Sequence, residues 1–106
     1  RGLTGQQGEQ ESRSVSCVPR AHASTIRGQC IVGSSLVTVG ADQRLCLWSL
    51  PNLTLTFSAV TEVCDTSCVD AIEVEQTTGG EEGETRKQLS IIVGGMGVQM
   101  FSCTIR

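Results

Sequence analysis

Residues 26–48 read IRGQCIVGSSLVTVGADQRLCLW, and this stretch decides the fold. Short runs of apolar and β-branched residues alternate here with turns that begin at Gly33 and Gly40. The runs cover residues 26–32, 36–39 and 45–48. Residues of these types favour strands, and short glycine-containing turns join antiparallel neighbours. The stretch therefore predicts three strands of one antiparallel meander.

The meander extends on both sides of this stretch. Residues 51–52 (Pro-Asn) form a break, and residues 53–57 alternate as a fourth strand, which we expect at the outer edge of the sheet. Residues 14–18 form a short alternating segment that Pro19 ends, and they predict a further edge strand. We therefore predict one four-stranded unit, with a preceding edge strand, over residues 14–59.

A second unit follows over residues 60–106. Residues 68–74 alternate, residues 89–93 form a continuous apolar run, and residues 98–101 alternate again after a Gly-rich turn. Residues 76–88 are too polar and Gly-rich to pack, so we expect a mobile acidic loop there. The acidic run is an alternative contact site, but its composition favours a solvated loop. This unit is expected to contain only three strands.

The two units repeat with the spacing of propeller blades. Leu47 and Met100 are 53 residues apart, and the inserted loop accounts for the excess over a period of about 40 to 45 residues. We therefore predict an all-β fold of antiparallel four-stranded sheets, the C-terminal blades of a β-propeller in a longer chain. Residues 1–13 are Gly- and Gln-rich without periodicity and are expected to be a flexible linker.

The isolated chain is expected to be marginally folded at best. Stacked repeats bury their core only against neighbours, and such arrays need about three repeats or more to be stable. A cooperative melt of residues 1–106 alone, measured by circular dichroism, would contradict this expectation.

Four residues of the first unit form its most informative pattern. His22 precedes the first strand, Thr38 lies in the second, Asp42 in the turn after it, and Trp48 ends the third. This pattern resembles the WD-repeat blade. The resemblance implies that the four side chains form a hydrogen-bonded chain inside the sheet, in which each buried polar group finds a partner.

The second unit departs from this pattern. Phe101 stands where the Trp belongs, Gly94 and Gly95 lie near the Asp position, and this unit has no His. Even in the first unit, the usual Trp-Asp pair is replaced by Trp48 followed by Ser49. We therefore expect the second unit to be a degenerate terminal blade.

The same pattern argues against an enzyme. In WD repeats this network holds the blade together and performs no chemistry, so the resemblance implies that His22 and Asp42 are not half of a catalytic triad. We expect no catalytic, cofactor-binding or metal-binding residues. A zinc site is the alternative, because Cys64 and Cys68 are four residues apart. A structural zinc needs four ligands, however, and no second pair with suitable spacing is present.

Short stretches of the chain carry a closer resemblance. They are residues 21–23 (Ala-His-Ala), 42–45 (Asp-Gln-Arg-Leu), 69–70 (Val-Asp) and 94–98 (Gly-Gly-Met-Gly-Val). Together they are similar to the C-terminal region of the WD repeat-containing protein six family, and residues 42–45 are the most specific element. Members of that family are non-catalytic partners of FtsJ-like tRNA 2′-O-ribose methyltransferases.

This resemblance implies a scaffold function in tRNA processing. The methyltransferase would supply S-adenosylmethionine binding and methylate the wobble ribose of the anticodon, while the WD-repeat protein helps to position the tRNA. We expect the tRNA contact to be indirect or to be made by other blades of the same propeller. The alternative is a generic WD-repeat adaptor of a ubiquitin ligase or trafficking complex, because propellers share their fold across unrelated functions.

Composition limits the partners and the compartment. The net charge of −3 gives no basic surface for nucleic-acid phosphates, and no apolar run approaches the roughly 18 residues of a membrane span. Several cysteines lie in apolar or alternating runs, where a free thiol packs as a small apolar side chain. The even number of six cysteines leaves a disulfide framework as the alternative. We expect reduced core thiols instead, and hence a cytosolic or nuclear compartment, of which we predict the cytoplasm. The cysteines in the apolar or alternating runs are Cys30, Cys46, Cys68 and Cys103.

Overall fold

The computed structural model describes residues 15–77 and 85–105, which form strands, turns and irregular segments without a helix. The prediction of an all-β fold is confirmed. Within these residues no helix is long and apolar enough to cross a membrane. The strands are β1 Ile26–Val32, β2 Ser35–Gly40, β3 Arg44–Ser49, β4 Thr54–Val60, β5 Cys68–Thr77, β6 Thr85–Gly94 and β7 Val98–Ile105.

The strands build two antiparallel sheets. The first sheet has the order β1-β2-β3-β4, and the second sheet has the order β5-β6-β7. The connection from β4 to β5 leads from the far edge of the first sheet to the strand that packs beside β1. The sheets are therefore stacked with their first strands adjacent, which is consistent with neighbouring blades of a propeller.

The apolar core lies between the two sheets. Side chains alternate between the faces of a strand, so the pairing of β2 with β3 places the buried apolar residues of both on one face. That face packs against the buried face of β6. The core residues are Val37, Val39, Leu45, Leu47, Leu89, Ile91 and Val93.

The opposite face of the second sheet is apolar and uncovered. Ile72 is 61% exposed, Ile92 49% and Met100 65%. They lie on β5, β6 and β7, on the face opposite to that of Ile91. We call this surface the outer face. Contiguous exposed apolar side chains of this kind mark interaction surfaces.

Two predicted strands of the first unit differ from the structure. The predicted edge strand at 14–18 is wrong for residues 15–18, which are exposed and pair with no described strand; Ser14 lies outside the described residues. A strand needs a neighbour to satisfy its backbone groups, and none of the described strands pairs with this segment. The fourth strand runs over Thr54–Val60 instead of 53–57, because Leu53 adopts a φ of 57° in the preceding turn.

The predicted loop at 76–88 is shorter than expected. β5 and β6 stay paired as far as Thr77 opposite Thr85, so residues 76–77 and 85–88 belong to strands. The ladder bonds of a hairpin join backbone groups, and polar side chains therefore do not prevent pairing. Residues 78–84, which contain the acidic run, lie outside the described residues.

Candidate functional site

The structure brings His22, Thr38, Asp42 and Trp48 together on the face of the first sheet that points away from the second. His22 comes from the segment before β1, and Asp42 comes from the turn between β2 and β3. Thr38 pairs across the strands with Cys46, two residues before Trp48, so both side chains share one face.

Hydrogen bonds run through all four side chains. His22 Nδ1 is 3.0 Å from Asp42 Oδ1, and His22 Nε2 is 2.7 Å from Thr38 Oγ1. The Trp48 indole N–H donates to the same Thr38 oxygen at 3.0 Å. The indole can only donate, so the Thr38 hydroxyl accepts from Trp48. The Asp42 carboxylate can only accept, so His22 carries a proton on Nδ1, and in the neutral imidazole Nε2 then accepts the Thr38 hydroxyl proton. His22 Nδ1–H then donates to Asp42. We call these four residues the relay.

The Asp42 carboxylate also ties two backbone segments to the relay. Its Oδ2 accepts from the Ala23 N–H at 2.9 Å, and its Oδ1 accepts from the Arg44 N–H at 3.2 Å. Burial raises the pKa of Asp42, but the hydrogen bonds from Ala23, His22 and Arg44 outweigh it and hold the pKa below its ordinary value. The carboxylate is therefore ionised at neutral pH and fixes both the segment before β1 and the β2–β3 turn.

Gly40 provides the space that the relay occupies. A Cβ at this position would lie 2.7 Å from Asp42 Oδ1 and 2.8 Å from His22 Nδ1. Both distances are shorter than real Cβ contacts, so any side chain here would push the pair apart. The sequence indicated Gly40 only as a turn residue. Its position two residues before Asp42 is the feature from which its role beside the relay could have been found.

The geometry of the relay suits a structural role. The His22 side chain is 0% exposed and that of Asp42 is 9% exposed. A nucleophile and its base must reach a substrate, whereas the Thr38 hydroxyl and both His22 nitrogens are already engaged with one another or with Asp42. The relay pairs buried polar groups with one another and holds the strands in register.

A second hydrogen-bonded group, missed by sequence reasoning, joins the β2–β3 turn to the segment between the sheets. Gln43, at a φ of 60°, donates from its side-chain amide to the Val63 carbonyl at 3.1 Å. The backbone carbonyl of Gln43 accepts a hydrogen bond from the Thr61 N–H at 2.8 Å. The sequence marks residues 42–45 as distinctive but does not reveal that Gln43 bridges to residues about twenty positions away.

Two buried threonines complete this inter-sheet segment. Thr61 is 2% exposed and Thr66 1% exposed. The Thr66 hydroxyl donates to the Val63 carbonyl at 3.0 Å, so the Thr61 hydroxyl, 3.0 Å from that of Thr66, must be the donor between them. The polar sequence around them gives no periodicity from which their burial could be predicted.

Backbone hydrogen bonds join the inter-sheet segment, residues 61–67, to the second sheet. The Met96 N–H donates to the Cys64 carbonyl at 2.8 Å, and the Ser67 N–H donates to the Gly94 carbonyl at 2.9 Å. Gly95 allows this close approach, because a Cβ there would lie 2.4 Å from the Asp65 carbonyl oxygen. We call this contact the latch.

The second sheet has no counterpart of the relay among the described residues. Phe101, expected at the Trp position, pairs with Ile91 and is half-buried against the core. The Phe101 ring lies on the side of the second sheet that faces the first sheet. The Trp48 ring lies on the side of the first sheet that points away from the second. Each ring is therefore on the corresponding side of its own sheet. The prediction that this unit keeps only the strand pattern agrees with this arrangement.

The cysteines are free thiols in the structure. Burial raises the pKa of Cys30, Cys46 and Cys103, which keeps these thiols protonated and unreactive. The interpretation of Cys68 as a core thiol is wrong, because the alternation of β5 places it, exposed, on the outer side with Asp70. Across residues 15–77 and 85–105, no three His, Cys, Asp or Glu side chains converge as they would around a metal ion.

Comparison with protein-family models, with curated proteins and with solved structures finds no match for this chain.

Proposed function

We propose that this chain contributes two blades of a WD-repeat-type β-propeller that acts as a non-catalytic scaffold. The observation that carries the proposal is the relay, in which His22, Thr38, Asp42 and Trp48 satisfy one another below the surface. A buried polar network of this kind rigidifies a sheet and specifies its register. Rigid sheets with short exposed connections suit a protein that presents surfaces to partners.

The stacking of the sheets supports the propeller. The chain passes from the edge strand β4 directly to β5, which packs beside β1, and repetition of this step would continue the stack around an axis. The outer face carries exposed Ile72, Ile92 and Met100, and the far side of the first sheet carries Ile31 at 69% exposure and Leu55 at 50%. Both surfaces are suited to burial against further sheets.

The specific complex that we propose is that of an FtsJ-like tRNA 2′-O-ribose methyltransferase. Support comes from the sequence resemblance at residues 42–45 and 94–98. In this complex the methyltransferase holds S-adenosylmethionine and modifies the wobble ribose, and the propeller positions the enzyme and the tRNA. The basic residues of this chain are few, and the net charge is −3, so we assign this region to protein contacts rather than to the tRNA itself. We propose a cytoplasmic location.

The test is affinity capture of the full-length protein from cells, with identification of the co-purifying proteins by mass spectrometry. We expect an FtsJ-like methyltransferase in near-equal amount, and we expect that deletion of the gene lowers wobble 2′-O-methylation in tRNA. The full-length protein carrying Thr54→Val controls for the effect of a substitution at an exposed position. It should capture the same proteins as the wild type does. Recovery of a ubiquitin ligase or trafficking assembly without a methyltransferase would overturn the tRNA assignment and favour the generic adaptor.

A further inference from the structure

Arg20 and Arg44 both line one opening on the surface above the relay. The turns and segments that contain residues 19–25, 40–44, 61–67 and 94–98 all lie at the same end of the two sheets, which we call the connector end. A shallow opening there is lined by Arg20, Ala21, His22, Ala23, Asp42 and Arg44. The scattered basic residues of the sequence are thus partly gathered by the fold.

Neither arginine side chain is neutralised by the residues around it. Arg20 and Arg44 are exposed, and within the described part of the chain their guanidinium groups make no hydrogen bond or ion pair. Asp42 is the acidic residue of the opening, but its two oxygens are taken by His22 and by the backbone N–H groups of Ala23 and Arg44. The opening therefore presents two positive charges with unused donors.

The described residues on either side of the acidic run lie far from the opening. Residues 78–84 join Thr77 to Thr85, at the end of β5 and β6 opposite to the connector end. β5 contains 10 residues, which at about 3.3 Å per residue places the connector end roughly 33 Å away.

We propose that Arg20 and Arg44 form a binding site for an acidic side chain of a partner protein. Two guanidinium groups that line one opening and have unused donors suit the two oxygens of a carboxylate. A polyanion such as RNA fits less well, because exposed Glu62 and Asp65 lie on the neighbouring segment of the same end. The inference does not depend on which complex the protein joins.

The experiment measures binding of a labelled peptide with three consecutive glutamates to the full-length protein at low salt. Wild type is compared with the double variant Arg20→Gln/Arg44→Gln and with the control Arg27→Gln, which removes an exposed arginine on β1. We expect the double variant to bind about fivefold or more weakly and the control to bind as wild type does. A glutamine version of the peptide should show no saturable binding.

Equal peptide affinity for wild type and the double variant overturns the proposal, as does the absence of saturable binding to wild type. A parallel titration with a short single-stranded RNA separates the two kinds of anion. If the double variant loses RNA affinity while peptide affinity is unchanged, the site is one for phosphate and the proposal is wrong. Hydrogen exchange over β1–β3 verifies that the double variant keeps its fold.

Discussion

The two sheets hold the same turn in different ways. In the first sheet the turn between its second and third strands is held by side chains, since Asp42 binds His22 and the backbone of residues 23 and 44. In the second sheet the equivalent turn, residues 95–97, is held by backbone contacts of the latch. A sheet without the relay can therefore still hold this turn in place, provided that a glycine lets the backbone approach closely.

This difference has a consequence for stability. The relay replaces water with internal partners for groups that are costly to bury unpaired. In the second sheet the fully buried side chains among the described residues are the apolar Leu89, Ile91 and Val93, so this cost does not arise for them. We therefore expect substitutions in the first sheet to act through unpaired polar groups, and those in the second to act through cavities and steric overlap.

The largest effect is expected in the second sheet from Ile91→Ala. Ile91 is fully buried in the core, and removal of such a side chain costs about 2–5 kcal/mol through lost burial and the cavity left behind. The measurement is local stability from hydrogen exchange of peptides that cover β5–β7 in the full-length protein. A loss below about 1 kcal/mol would mean that the two sheets do not share this core.

Ile92→Ala extends this comparison to the outer face. Ile92 is 49% exposed in this chain, but the proposed propeller covers the outer face with another sheet. In the full-length protein we therefore expect a cost close to that of Ile91→Ala, measured by the same exchange experiment. A cost below about 1 kcal/mol would leave the outer face uncovered and argue against a closed ring.

The next effect is expected in the first sheet from Thr38→Val. This nearly isosteric change removes the hydroxyl that joins His22 to Trp48, and unpaired buried polar groups cost about 1–3 kcal/mol. Exchange of peptides covering β1–β3 measures the loss. In a double-mutant cycle with Trp48→Phe, the two losses should be less than additive, because both remove the same hydrogen bond. Additive losses would show that this bond contributes nothing.

Overpacking of the latch by Gly95→Ala should cost about 1–3 kcal/mol, because the new methyl group would meet the carbonyl oxygens of Cys64 and Asp65 at 2.5 and 2.4 Å. Backbone atoms cannot rotate away as a flexible side chain does. Gly97→Ala is the matched control, since a Cβ there has nothing within 4 Å. Exchange of residues 61–67 should rise in the first variant only; the same result for both glycines would refute the latch.

Sequence reasoning predicted what depends on local pattern. Alternation and turn residues placed β1 at Ile26–Val32 without error. The resemblance to a WD-repeat blade implied the group of His22, Thr38, Asp42 and Trp48 that the structure brings together. The strand follows from residue type and periodicity, whereas the group was found through the resemblance.

The parts that could not be predicted depend on contacts between segments distant in sequence. The buried Thr61 and Thr66 lie in a segment that the Gln43 side chain contacts from the β2–β3 turn, about twenty residues earlier in the sequence. Arg20 and Arg44 likewise line one opening only because the chain folds back over the β2–β3 turn. Residues 15–18 show the converse, because an alternating pattern forms no strand where no partner strand is available.

The smallest expected effect is the pH dependence that Asp42 gives to the relay. Its pKa in the folded protein lies below the ordinary value, which is about 3.9 for an unfolded chain. Such a group stabilises the fold above the unfolded pKa, and this contribution is lost as the pH falls toward the folded pKa. Wild type should therefore be more stable than Asp42→Asn at pH 6, and the gap should narrow below about pH 4. Hydrogen exchange over residues 36–48, corrected for the intrinsic rate at each pH, measures the gap. Since all other carboxyl groups titrate alike in both proteins, a gap that stays constant down to pH 3 would mean that the Asp42 charge does not stabilise the relay.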